Sequence, residues 1–259
     1  VGRGTKHPAG FWAEEAVGPC QVFKEAGYEI AVATPGGVPP TADALSLTTD
    51  LNGGPEGAEK MKAALRDATE LAQPMRIEDA NQDEYDVVFY PGGWGPMEDL
   101  PDNAESGKLP IDRLASGKLI ALVCPGPAAL PATADADGKS PFAGYRLTGL
   151  SNAEEIPNGV ADRAKWLLQD RLVELGVDYR AGEPYQPHLE VDRTLYTGQN
   201  PASAVPLAQE TSKPSADTVP AARRVDPGPP SRPAKDRREV ACRWDRLPHS
   251  RTPVRGWWP

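Results

Sequence analysis

The chain has 259 residues, a net charge of −9, and 39% hydrophobic and 25% charged residues, which suits one α/β domain with an extension. With no apolar run long enough for a bilayer and no secretory signal at its start, it is expected to be cytoplasmic, with no membrane and no nucleic acid among its partners. Cys20, Cys124 and Cys242 lack paired or ligand-like spacing, so neither a disulfide framework nor a metal site is expected.

The first patterned segment is FWAEEA (11–16), leading into a helix that contains Val22 and Phe23. Its paired acids, Glu14 and Glu15, suit the positive end of a helix dipole. A strand is predicted over 28–34. A helix follows over 56–72, with Met61, Ala64, Leu65, Ala68 and Leu71 on one face. The strand predicted over 86–90 runs into PGGWGP, where Gly92 and Gly93 allow close backbone approach and present N–H groups. Another strand is predicted over 118–123, a helix over 161–175 ending at Gly176, and a last strand over 189–196. Strands alternating with amphipathic helices predict an α/β fold, a mostly parallel sheet covered on both faces. Ligands of such sheets collect at the carboxyl ends of the strands.

Residues 1–209 carry a net −14 and form the predicted domain. Residues 210–259 carry +5 and 9 of the 29 prolines without helical or strand periodicity, so a disordered basic Pro/Arg-rich tail is expected there.

ALVCPGPAAL (121–130) is the most informative stretch. An apolar strand delivers Cys124 into a Pro-Gly-Pro turn and a small-residue helix start, the layout of a nucleophile elbow in which a helix N-terminus stabilises a thiolate. A buried cysteine at a strand end fits the same residues equally well.

GFWAEEAVGP (10–19), VATPGG (32–37), YPGGWGP (90–96), VCPGPAAL (123–130), LTGLSNAEE (147–155) and TGQNPASA (197–204) occur in the order of the ThiJ/PfpI superfamily, within the class I glutamine-amidotransferase-like fold. Across residues 3–209 the chain resembles its glyoxalase III and heat-shock chaperone branch. The resemblance implies a flavodoxin-like three-layer sandwich, a homodimer, no cofactor, and glutathione-independent conversion of methylglyoxal to lactate, with deglycase and holdase relatives. It implies a small aldehyde or glycated substrate. It makes Cys124 the nucleophile, Glu15 the buried carboxyl sharing its proton, and Gly92 and Gly93 one wall of an oxyanion site. Glu155 becomes the acid that orients a catalytic histidine, and Glu154 a surface charge.

Three departures fall on that pattern. Pro125 stands where the branch has histidine, and so removes both an acid–base group and a backbone donor. Trp94 stands where a second histidine is common and would wall the pocket. The first, interior strand of the family is not found ahead of residue 10, so the sheet is expected to lack it. The alternative function is a non-catalytic redox-sensing or holdase-type stress protein in which Cys124 is an oxidisable thiol.

Overall fold

The computed structural model describes residues 9–157 and 164–213, together with the backbone of 238–243. Its centre is a seven-stranded sheet in the order β2-β1-β9-β3-β4-β8-β7. The strands are β1 (Tyr28–Thr34), β2 (Met75–Arg76), β3 (Val87–Tyr90), β4 (Ile120–Val123), β7 (Leu189–Asp192), β8 (Leu195–Gly198) and β9 (Arg238–Arg243). All neighbours are parallel except β7 and β8. A separate pair is formed by β5 (Arg146–Leu147) and β6 (Asp178–Tyr179).

Strand alternation sorts the side chains into two apolar layers. Val88, Tyr90, Ile120 and Leu122 face one layer with Leu100, Leu130 and Leu168. Val87, Phe89, Ala121 and Val123 face the other, against Ala16, Cys20 and Phe23 of α1 (Ala13–Glu25) and Ala204, Leu207 and Ala208 of α7 (Ala204–Thr211). Phe23 anchors that layer, meeting Tyr28 and Phe89 edge to face at 5.7 and 5.8 Å. The expected α/β sandwich around a mostly parallel sheet is therefore what forms. The sheet has no vacant interior position, because β9 lies between β1 and β3. Within 210–259, the described residues complete α7 and form β9; the rest of that segment lies outside the described residues.

The remaining helices are α2 (Pro55–Asp67), α3 (Trp94–Asp99), α4 (Ala104–Ala115), α5 (Asn152–Glu155) and α6 (Leu168–Glu174). The helix expected over 56–72 breaks after Asp67 into a 3₁₀ turn, Thr69–Ala72. The one expected over 161–175 starts only at Leu168, because Leu167 is extended; residues 161–163 lie outside the described set. The strand expected over 189–196 is a hairpin, turned at Arg193 with φ 57°.

One buried cation fixes the two site-bearing strands. Arg113 on α4 is fully buried and donates to the carbonyls of Leu119, Gln82 and Tyr85 at 2.8 Å each, and to that of Asp86. Leu119 and Asp86 immediately precede β4 and β3, and Gln82 and Tyr85 lie in the turn leading into β3. Arg113→Met would take this donor from the buried Tyr85 carbonyl, at about 1–3 kcal/mol, and from the partly buried carbonyls of Leu119, Gln82 and Asp86, of which the first two keep a bond from Val88 N and Tyr85 N. We expect the urea midpoint to fall by the equivalent of at least about 1 kcal/mol. A midpoint within error of the parent's would contradict the clamp.

Candidate active site

β4 ends at Val123, and the next residue is forced out of line. Cys124 has φ 58°, a left-handed conformation that a non-glycine side chain adopts only when its surroundings impose it. Both of its backbone polar groups are held: its N–H donates to Gly198 O at 2.9 Å, and its carbonyl accepts from Leu150 N at 3.2 Å. The 3₁₀ turn Gly126–Ala129 follows directly. A side chain at Gly126 would put its Cβ 2.6 Å from the Tyr90 carbonyl oxygen, so the bend closes only around glycine. This is the geometry of a nucleophile elbow, with Cys124 buried at the carboxyl end of the sheet.

Glu15 comes from the first turn of α1 and is completely buried. Its Oε2 accepts a hydrogen bond from Gly92 N at 2.8 Å. A Cβ on Gly92 would lie 2.7 Å from Glu15 Oε2, 2.8 Å from Cys124 Cβ and 2.5 Å from Pro125 Cδ. Carboxyl, thiol-bearing carbon and proline ring thus converge over one glycine. The proposed pair of residues 15 and 124 is brought together on the α1 side of the sheet.

Burial dominates the electrostatics. It pushes the Glu15 carboxyl up to about 8; contact with the Cys124 thiol and the Gly92 amide pulls it back, and Glu14 adds a smaller upward push. Burial also raises the Cys124 thiol well above its usual value, with Glu15, Glu154 and Glu155 adding to the rise. At neutral pH the pair therefore holds both its protons, and Glu15 Oε1 is left without a hydrogen-bond partner. Such a pair titrates as a unit.

The raised carboxyl has a consequence for stability. The native state keeps a proton on Glu15 that the unfolded chain, at about 4.5, releases, so between pH 4.5 and 8 stability falls as pH rises. The slope from one such group approaches about 1.4 kcal/mol per pH unit. Glu15→Gln keeps a neutral side chain and removes this slope. Its unfolding free energy should thus gain on the parent's steadily from pH 5 to 8; parallel pH–stability curves would refute the shift.

Gly92 and Gly93 do something more specific than face an oxyanion. The Gly92 N–H is already engaged by Glu15, and its carbonyl accepts from Trp12 N at 2.9 Å. Gly93 has φ 118°, and a Cβ there would meet Gly10 O at 2.3 Å; Gly95 N donates to that same carbonyl at 3.1 Å. The glycines seat the strand-like entry to α1 and so aim Glu15. Trp94, half-buried, starts α3 and packs against the other core layer.

Glu155 is buried, with Oε2 accepting from Leu168 N at 3.3 Å and Oε1 unpartnered. Burial raises it to about 7; the Leu168 amide opposes the rise, while Asp170 and Glu154 add to it. No histidine is bonded to it among the described residues. His188 lies ahead of β7, with Nε2 3.3 Å from Glu190 Oε1; His7 and His249 lie outside the described residues.

Glu154 corrects the expectation of a surface charge. It is 1% exposed, and five groups donate to its carboxylate. Oε2 receives Ser151 N, Ser151 Oγ and Gln199 Nε2 at 3.1, 2.7 and 3.0 Å. Oε1 receives Tyr185 N and Asn200 Nδ2, both at 2.8 Å. The only sequence signal for this hub was the Ser-x-x-Glu spacing of a capping box, 151–154.

Comparison with known proteins agrees with this architecture. The model of the DJ-1/PfpI family matches residues 8–213. A protein/nucleic acid deglycase HchA of Staphylococcus aureus (strain Newman) is 27% identical over 196 residues, covering 74% of this chain and 67% of that protein. The Rapid Encystment Protein 24 kDa of Francisella tularensis superposes with a TM-score of 0.72 at 27% identity, over 83% of this chain and 95% of that one. Glyoxalase III of Candida albicans superposes with a TM-score of 0.66 at 26% identity, over 78% and 87% respectively.

Proposed function

The chain belongs to the DJ-1/PfpI family, and from that footing we propose that it processes methylglyoxal or related small aldehydes and their glycation adducts through Cys124. The observation that carries the reading is the convergence of the Glu15 carboxyl and Cys124 over Gly92. The similarity to a deglycase and to a glyoxalase III supports the substrate class.

The chemistry proceeds with Glu15 as the proton carrier. The Cys124 sulfur bonds to the aldehyde carbon of methylglyoxal; the thiol proton passes through the Glu15 carboxyl to the carbonyl oxygen, giving a neutral hemithioacetal. The Glu15 carboxyl next releases its own proton to solvent, and the resulting carboxylate takes the hydrogen from that carbon and returns it to the neighbouring ketone carbon, whose oxygen gains the hydroxyl proton. The product is a lactyl thioester. Water cleaves it, releasing lactate and restoring the thiol, so the net reaction is methylglyoxal plus water to lactate. A carboxyl near 8 is matched to this work, since it is easily loaded and unloaded near neutral pH.

In this reading the protein acts as a homodimer in a reducing cytoplasm; no helix among the described residues is long and apolar enough to cross a membrane. The test is lactate formation from methylglyoxal by the intact chain without glutathione. Lactate above the protein-free rate supports the reading. A flat trace, with a thiol consumed rapidly by peroxide, replaces it with the redox-sensing alternative.

A further inference from the structure

We infer that β9, contributed from residues 238–243, is the positioning element that sets Glu15 against Cys124. This rests on the geometry of the pair and not on the substrate assigned to it.

β1 and β3 share no register with each other; each pairs with β9 instead. β9 is matched to β1 from Tyr28↔Arg238 to Ala33↔Arg243, and to β3 from Val87↔Val240 to Phe89↔Cys242. Without it the sheet is two pieces, β2-β1 and β3-β4-β8-β7. Neighbouring strands sit about 4.8 Å apart, so β9 holds β1 and β3 at about twice that spacing. Glu15 belongs to α1, which packs on β1 and also, through Phe23, against Phe89 of β3. Gly92 and Cys124 follow β3 and β4 in the other piece. The Gly92–Glu15 bond therefore crosses the seam that β9 fills. The turn after β3 grips the start of α1 through Trp12 N and Gly10 O, and α1 also packs on α7; β9 sets the spacing of the strands beneath these contacts.

The timing of assembly follows. Pairing of Val240 with Ile30 joins residues 210 positions apart in sequence. Contacts of such separation carry the largest loop-closure cost and form late. The site is thus completed only when β9 inserts, and the thiol-acid pair stays apart in a chain that has not reached residue 243.

Two measurements test this on the full chain. The first is amide hydrogen exchange of the parent protein. Residues 240–242 should be protected as strongly as 87–89, because β9 is paired on both sides there; exchange of 240–242 at the rate of an unstructured segment would overturn the inference. The second uses the pH profile of Cys124 alkylation by iodoacetamide. Ala241→Pro removes one ladder amide, and Glu15→Gln removes the acid. Each should move the profile to lower pH, and the double variant should move it no further than Glu15→Gln alone. Additive shifts would mean that β9 acts by general loosening, and an unchanged profile in Ala241→Pro that it does not act at all. Should that variant fail to fold, the parent in rising sub-denaturing urea serves. Loss of protection at 240–242 must then coincide with the Glu15→Gln-like profile, and a parent profile persisting past that point overturns the inference.

Discussion

Cys124→Ala is expected to reduce lactate release from methylglyoxal to the protein-free rate, a loss of at least about 10³-fold, or about 4 kcal/mol of barrier. Without the sulfur no covalent adduct forms, and Glu15 has no hydrogen to move. The fold should survive, since alanine is a smaller side chain and the structural hydrogen bonds of residue 124 come from its backbone. The φ 58° backbone is no less strained with alanine, which keeps a Cβ, and the bonds to Gly198 O and from Leu150 N hold it there. Glu15→Gln should cost about 10²–10⁴ through loss of proton transfer. Because thiol and carboxyl act as a unit, the double variant should be no slower than Cys124→Ala alone. The assay is initial-rate lactate formation, with thermal unfolding of each variant as a control. Cys124→Ala retaining a tenth of the parent rate would remove the thiol from the reaction.

Much of this site was legible because it is local. The apolar runs before Gly92 and Cys124 are short, continuous and followed by turn residues, and they became β3 and β4, buried on both faces. The elbow at Cys124 follows from a strand meeting Pro-Gly-Pro. What was not legible depends on distant partners. Two adjacent glutamates ordinarily mean a solvated pair; 154 is buried because Tyr185, Gln199 and Asn200 bring donors to it from across the fold. The late start of α6 has the same origin, since Glu155 reaches across thirteen residues to take the first amide of that helix. Asp192–Arg193 conceals a hairpin turn inside a strand-like pattern, fixed by Arg193 stacking 3.2 Å over the Tyr145 ring. β9 is least legible of all. REVACR is short and charged, and only its two neighbours make it a strand.

Pro125→His should raise lactate release at least tenfold, equivalent to about 1.4 kcal/mol of barrier. The backbone can accept the change: Pro125 sits at φ −79° and ψ 8°, a conformation open to any residue. Histidine restores a backbone N–H directly after the nucleophile, and one such donor is worth about 2.7–4 kcal/mol when it is aimed at the developing oxyanion. That contribution matters here because the Gly92 amide is already committed to Glu15. The imidazole adds an acid–base group, and Glu155 is placed to respond. Its Oε1 is buried without a partner, and its charge is felt at Cys124. Glu155→Gln should therefore cancel more of the activity in the histidine background than in the Pro125 parent. An equal fractional loss in both backgrounds would show that Glu155 does not engage the new side chain. No gain from histidine at all would mean that Glu15 alone already carries every proton the reaction moves.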